Sequence, residues 1–295
     1  MVNWRSVNVN YPCTEKIEDF EIDKHNYRSY ELKYVDNKEE FFNYIVPILK
    51  EEYGSGNNLS DKLKNISPER VETLKKFMAK GLIPNPNITT HENRPWLKNT
   101  RSKATECIAK DILNKVDGVF FTCRITEEEE DPDMPKRGLD NFGFIFSYEN
   151  DDIVLSKIVA CEVKASDSKK SPPSVVHASE DSMFKALKSV ENIDMRLTKA
   201  IAKSIDKLPE GEYIELIANI AIDIENKQDL DNIKNKIMVV PFLVRNKEHY
   251  TENDYGKFKS NYNEFEFAAI SSHILILDYD LNKFSEELFE KLREG

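Results

Sequence analysis

Cysteine is scarce in this chain and carries no pattern. Cys13, Cys107, Cys123 and Cys161 are widely spaced in 295 residues and form no C-x-x-C pair, which argues against a zinc site and reads as reduced, buried thiols. Five histidines, at 25, 91, 177, 249 and 273, show no ligand spacing. The nine glycines form neither a Walker-type loop nor a G-x-G-x-x-G run, which argues against ATP hydrolysis by this chain. No apolar run approaches the ~20 residues that span a bilayer, and the first residues lack a signal-peptide core. The expectation is a cytoplasmic protein with no membrane segment. Internal repeats are absent. An excess of basic charge is also lacking: 42 Lys and Arg face 53 Asp and Glu, a net charge of -11. That balance argues against strong unaided binding to a phosphate backbone.

What is present is a chain with 40% hydrophobic residues, enough to bury a sizeable core as one large domain or as a core with an appended region. Its most informative stretch runs from Arg137 to Ser166, RGLDNFGFIF, a short polar turn, then IVLSKIVACEVKAS. Strand side chains alternate, so Ile158, Ala160, Glu162 and Lys164 share one face while Val159, Cys161 and Val163 share the other. The aromatic-rich run 139–146 precedes it, and the polar turn 149–152 joins the two as an antiparallel hairpin. That pairing brings Asp140, at the start of one strand, beside Glu162 and Lys164 near the end of the other. A carboxylate and an ammonium in a buried strand are costly unless paired or holding a metal. Two readings follow: a half-buried salt bridge or strand end in solvent, or a site in which two carboxylates suit a hard Mg2+ and the lysine orients a metal-bound water or steadies charge on a phosphate.

The pattern of Asp140 on one strand with Glu162-x-Lys164 on the next resembles the PD-(D/E)XK nuclease superfamily, over roughly residues 96–207. Leu139 stands where a proline precedes the acidic residue in many members. Within that superfamily, the order of a helical N-terminal region, a helix glutamate, GLDNFGFIF, ACEVKAS and a helix with SMFKALKSV is most similar to the nuclease subunit of the Hachiman anti-phage defence system. The resemblance implies an α/β, restriction-endonuclease-like core with a mixed central sheet flanked by helices. It implies metal-dependent hydrolysis of DNA with Mg2+ or Mn2+ as cofactor, and a superfamily 2 helicase as partner, which would take over the gripping of DNA that the acidic charge disfavours. Asp140, Glu162 and the Val163 carbonyl would hold the metal, with Lys164 at the reacting phosphate and Glu106 in supporting contact. The other classes kept open are a catalytically silent scaffold of nuclease fold and a restriction-type enzyme with its own sequence specificity.

The rest of the chain is placed around this hairpin. Residues 1–95 read as a mainly helical region for packing or partner contact. It holds a short strand near 30–34, a helix over 38–53 with Pro47 a candidate kink, and a second helix capped by Ser67 and entered by Pro68. A proline- and asparagine-rich connection, 84–95, leads to the 96–295 core. Thr100 or Ser102 is expected to cap the helix bearing Glu106, which reads equally as a solvated helix residue. The run 119–125 reads as a first core strand, followed by the acidic stretch 127–133, either a solvated turn or a guard over a basic groove. Lys169 and Lys170 follow the second hairpin strand. A single helix is predicted over 179–207, with Lys185, Lys188, Arg196, Lys199 and Lys203 on one stripe. One-sign segregation on an acidic protein points that stripe at phosphate, against the alternative of an ordinary solvated face. Strands are predicted over 213–224, 236–244 and 265–277, and an amphipathic helix over 281–293.

Overall fold

A computed structural model describes residues 11–54, 59, 62–88, 99–125, 133, 138–177 and 182–294. The acidic run 127–131 and the start of the helix predicted from 179 lie outside the described residues. Six strands are described: β1 Thr14–Ile22, β2 His25–Leu32, β3 Asn141–Glu149, β4 Asp152–Ser166, β5 Ile237–Asn246 and β6 Ala269–Leu277. They form one mixed sheet in the order β1-β2-β6-β5-β4-β3. The four inner strands run parallel, and β1 and β3 are antiparallel to their neighbours. The inner strands β5 and β6 are buried along nearly their whole length, as a sheet covered on both faces requires.

Helices supply that cover. On one face lie α1 Tyr34–Glu52, α2 Pro68–Leu82, α3 Asn99–Asp117 and, at the end of the chain, Leu281–Arg293, which meet the sheet through Phe41, Ile45, Ile108, Ile112 and Leu288. On the other lie α4 Met183–Val190, α5 Met195–Lys207, α6 Glu212–Glu225 and α7 Leu230–Lys236, through Leu187, Leu197, Ile201, Ile217 and Ile233. The Leu281–Arg293 helix is α8. The strand β4 shows the alternation directly: Val159, Cys161 and Val163 face the first cluster, Ile158 and Ala160 the second.

Several expectations are corrected. Residues 213–224 form α6 and not a strand. Its isoleucines favour β structure locally, but Ile217 and Ile220 fall three apart on a buried helix face. The run 119–125 is not a strand either: only Phe120 pairs, exchanging both backbone hydrogen bonds with Phe144 at 2.7 and 2.9 Å. The neighbouring Gly143 permits this approach, since a Cβ there would lie 2.6 Å from the Phe120 carbonyl oxygen. Beyond it the chain is drawn to α3, where Lys110 Nζ donates to the Cys123 carbonyl at 2.8 Å and to Glu52.

The helix predicted over 179–207 is two helices in the described residues. The break is set by Ile193, at φ 56°, and by Asp194, whose carboxylate accepts from the Arg196 and Leu197 amides and so starts α5. Helix α3 already includes Thr100 and Ser102, so neither caps it. In α1 the irregular residue is Asn37, not Pro47. Finally, the region read as mainly helical also contributes the β1–β2 hairpin, and β2 pairs with β6 along its length. The sheet therefore runs across the 95/96 boundary. Among the described residues no helix is long and apolar enough to cross a membrane.

Candidate active site

The β3–β4 hairpin is closed by Asn150 and Asp151, both at positive φ, the backbone that a two-residue hairpin turn demands. From the turn outward, Glu149 opposes Asp152 and Phe146 opposes Leu155, but then Ile145 opposes Lys157. Ser156 is thus an extra residue, a β-bulge, and it shifts the register by one. The shift decides the site. With it, Asn141 opposes Cys161, which sets Asp140 level with Glu162 and on the same face; without it, Asp140 would meet Cys161 and the two carboxylates would point to opposite sides.

Three predicted residues are brought together here. Asp140 Oδ2 accepts from the Val163 amide at 2.6 Å and lies 4.0 Å from Lys164 Nζ. Lys164 Nζ donates to Glu162 Oε1 at 2.7 Å. The second oxygen, Glu162 Oε2, is buried and has no hydrogen-bond partner among the described residues. A buried carboxylate oxygen without a donor is costly, since burial strips its water. Lys164 remains 30% exposed while the carboxylates are 13% and 12% exposed, so the group opens to solvent on the lysine side. Because one strand residue directs its N–H and C=O to the same side, the Val163 carbonyl also faces the edge where Asp140 sits.

Electrostatics ties Glu106 to the group. Burial would lower the Lys164 ammonium, but the charges of Asp140 and Glu162, the hydrogen bond to Glu162 and the charge of Glu106 together hold it above the ordinary lysine value. The Cys161 thiol is pushed well up by burial and then by Asp140, Glu162 and Glu106, which leaves it inert. The half-buried Glu106 stands on α3, and its carbonyl accepts from Asn141 Nδ2 at 3.0 Å, fixing the helix to the strand beside Asp140.

The basic residues divide into two kinds. Lys188 is bound to Glu191 and to the Glu264 carbonyl, and Arg196 to Asp194, Ser189 and the Ala186 carbonyl. Both serve the break between α4 and α5. Lys169, Lys170, Lys185, Lys199 and Lys203 have no ion pair among the described residues. The loop carrying Lys169 and Lys170 is held by a residue that sequence reasoning missed. Arg245, fully buried with its partner Asp254, spends all five N–H groups: Nε on Asp254 at 2.8 Å, the others on the carbonyls of Ser166, Ser168, Lys170 and His249. Its only sequence signal is an arginine closing an apolar run.

Among the described residues no group of three or more His, Cys, Asp or Glu side chains is arranged to hold a metal ion. Two carboxylates, one with an orphaned oxygen, and a backbone carbonyl are nevertheless hard oxygen donors of the kind Mg2+ takes in ones and twos, completing its shell with water and phosphate. No protein-family model matches the chain, and no curated protein matches it in sequence.

Proposed function

We propose that the chain is a metal-dependent nuclease of the PD-(D/E)XK type that hydrolyses phosphodiester bonds of DNA, acting in anti-phage defence as the effector subunit beside a superfamily 2 helicase. The observation that carries this reading is the orphaned, buried Oε2 of Glu162, level with Asp140 and beside Lys164. Asp140, Glu162 and the Val163 carbonyl would hold Mg2+ or Mn2+, with Glu106 in support. A bound metal supplies Lewis acidity to a phosphate oxygen and acidifies a water.

The raised pKa of Lys164 assigns its role. An ammonium held above its ordinary pKa is a donor and not a base, so Lys164 offsets the charge that grows on the phosphate as water adds to phosphorus and the ester oxygen leaves. Glu106, whose charge reaches Lys164, orients the attacking water. Lys169, Lys170, Lys185, Lys199 and Lys203 offer phosphate contacts, yet the net charge of -11 leaves little long-range attraction for DNA. A helicase partner that grips the duplex removes that difficulty.

The test is cleavage of linear and supercoiled plasmid with Mg2+ or Mn2+, by wild type, by Lys164→Ala and by a Glu162→Ala/Lys164→Ala variant, each with and without a co-expressed helicase and ATP. The expected result is cutting by wild type in the presence of the helicase and ATP, which open the duplex, and its loss, by a factor of ~100 or more, in both variants. Wild-type cutting by Lys164→Ala would end the proposal. A second reading, a silent scaffold of the same fold, draws on the absence of a three-carboxylate cluster among the described residues and on the direct Lys164–Glu162 pair. Mg2+ binding lost in Asp140→Ala supports the enzyme, and no binding by wild type supports the scaffold.

A further inference from the structure

Next to the carboxylates lies a cavity of about 420 Å³, within the size range of small-ligand sites. One wall is the 138–142 segment, with Leu139 and Phe142; the other is α5, with Met195, Ala200, Lys199 and Lys203. Leu139 is bonded to Asp140, and Phe142, two residues on, shares its face of the sheet. The cavity therefore borders the segment that carries Asp140, although Asp140, Glu162 and Lys164 do not themselves line it. Its surface is mostly apolar, and Met195, 81% exposed at its rim, is the most exposed large apolar side chain among the described residues. Lys199 and Lys203, four residues apart, lie on one face of α5 and have no ion pair among the described residues. An apolar hollow with two unspent ammonium groups, in a chain of net charge -11, is complementary to a ligand with an apolar body on an anionic backbone.

We propose that this cavity receives an unpaired nucleotide of a nucleic-acid strand, its base against Leu139, Phe142 and Met195 and its phosphates on Lys199 and Lys203. The substrate class at Asp140 is then single-stranded. A duplex keeps its bases paired and stacked, and presenting one costs a few kcal/mol of unstacking, whereas a single strand offers base faces freely. The consequence for substrate choice rests on the nuclease reading; the binding site does not.

The experiment separates the two. Fluorescence anisotropy is measured on the Lys164→Ala chain in EDTA, with a fluorescein-labelled oligothymidylate, a duplex of the same length, and unlabelled thymidine monophosphate as competitor. The single strand is expected to bind at least ~10-fold tighter than the duplex. Ala202→Trp, at an exposed lining position, narrows the cavity and should weaken single-strand binding ~10-fold, leaving the duplex unaffected. Lys199→Ala/Lys203→Ala should lower the slope of log affinity against log salt by ~1.4, two counterions on a single strand. Circular dichroism confirms that both variants are folded. Equal binding of the two forms, no binding of either, no effect of Ala202→Trp, or competition by the mononucleotide at the strand's own affinity would overturn the inference. Strand binding without any metal-dependent cutting would leave the inference standing and end the nuclease reading; cutting with a duplex preference would do the reverse.

Discussion

Two buried charged groups stand in contrast in this molecule. Around Arg245 every donor is spent: five N–H groups meet Asp254 and four backbone carbonyls, and Asp254 also accepts from Ser171 Oγ at 2.6 Å. Around Asp140, Glu162 and Lys164 the set stays open, with one carboxylate oxygen unpartnered among the described residues and the lysine partly in solvent. The first arrangement has nothing left to bind. The second leaves a carboxylate oxygen that, on the proposed reading, a divalent cation would take, and its burial without a donor costs stability.

The largest effect should come from breaking the complete cluster. Arg245→Met leaves Asp254 buried without its partner and frees the 166–170 loop, and should cost about 3 to 5 kcal/mol in urea unfolding. A loss under 1 kcal/mol would mean that the loop is held by other contacts.

His25 sharpens the comparison from the satisfied side. Its Nδ1 accepts from the Ile270 amide at 3.0 Å, and burial, with help from Lys24, holds its pKa down to about 4 against an ordinary 6.5. The folded pKa lies below the unfolded one, so the unfolded chain binds more protons between those values. His25 should therefore contribute nothing against folding above pH 6.5 and cost up to about 3 kcal/mol as pH falls toward 4. The difference in melting temperature between pH 7 and pH 5 should shrink in His25→Gln; an unchanged difference assigns the acid loss to other groups.

In the open cluster the sign should reverse. Glu162→Gln removes a buried charge with an orphaned oxygen, and its stability without metal should stay within about 1 kcal/mol of wild type, or exceed it. A loss of 3 kcal/mol would show that the Glu162–Lys164 pair is a structural salt bridge. Smallest of all, Lys16→Ala removes an exposed pair with Asp19 and should change stability by less than ~0.5 kcal/mol.

The hairpin and the three residues at its end were legible in the sequence, because period-two alternation and a four-residue polar turn are local signals. The start of α2 at Ser67 and Pro68 was legible for the same reason, although the Ser67 side chain makes no capping hydrogen bond. The bulge at Ser156 was not, although it decides which residue Asp140 meets; nothing in LSKIV marks it. Isoleucine content misplaced α6, where the three-residue spacing of Ile214, Ile217 and Ile220 was the better guide. The β1–β2 hairpin was missed because β1 is an edge strand, largely exposed and rich in charge, which blurs alternation while protecting the edge. The single helix over 179–207 broke on Asp194, a cap whose signal lay beneath a continuous apolar stripe. Arg245 was invisible, since its partners span residues 166–254 and meet only in the fold.

The central claim is that Glu162 and Asp140 hold a divalent cation. Calorimetric titration of Mn2+ into wild type and Glu162→Gln tests it most directly. The account predicts saturable binding by wild type, at least ~10-fold weaker in the variant, with a matching rise in wild-type melting temperature as Mn2+ is added. Equal binding by both chains, or none by wild type, would contradict it.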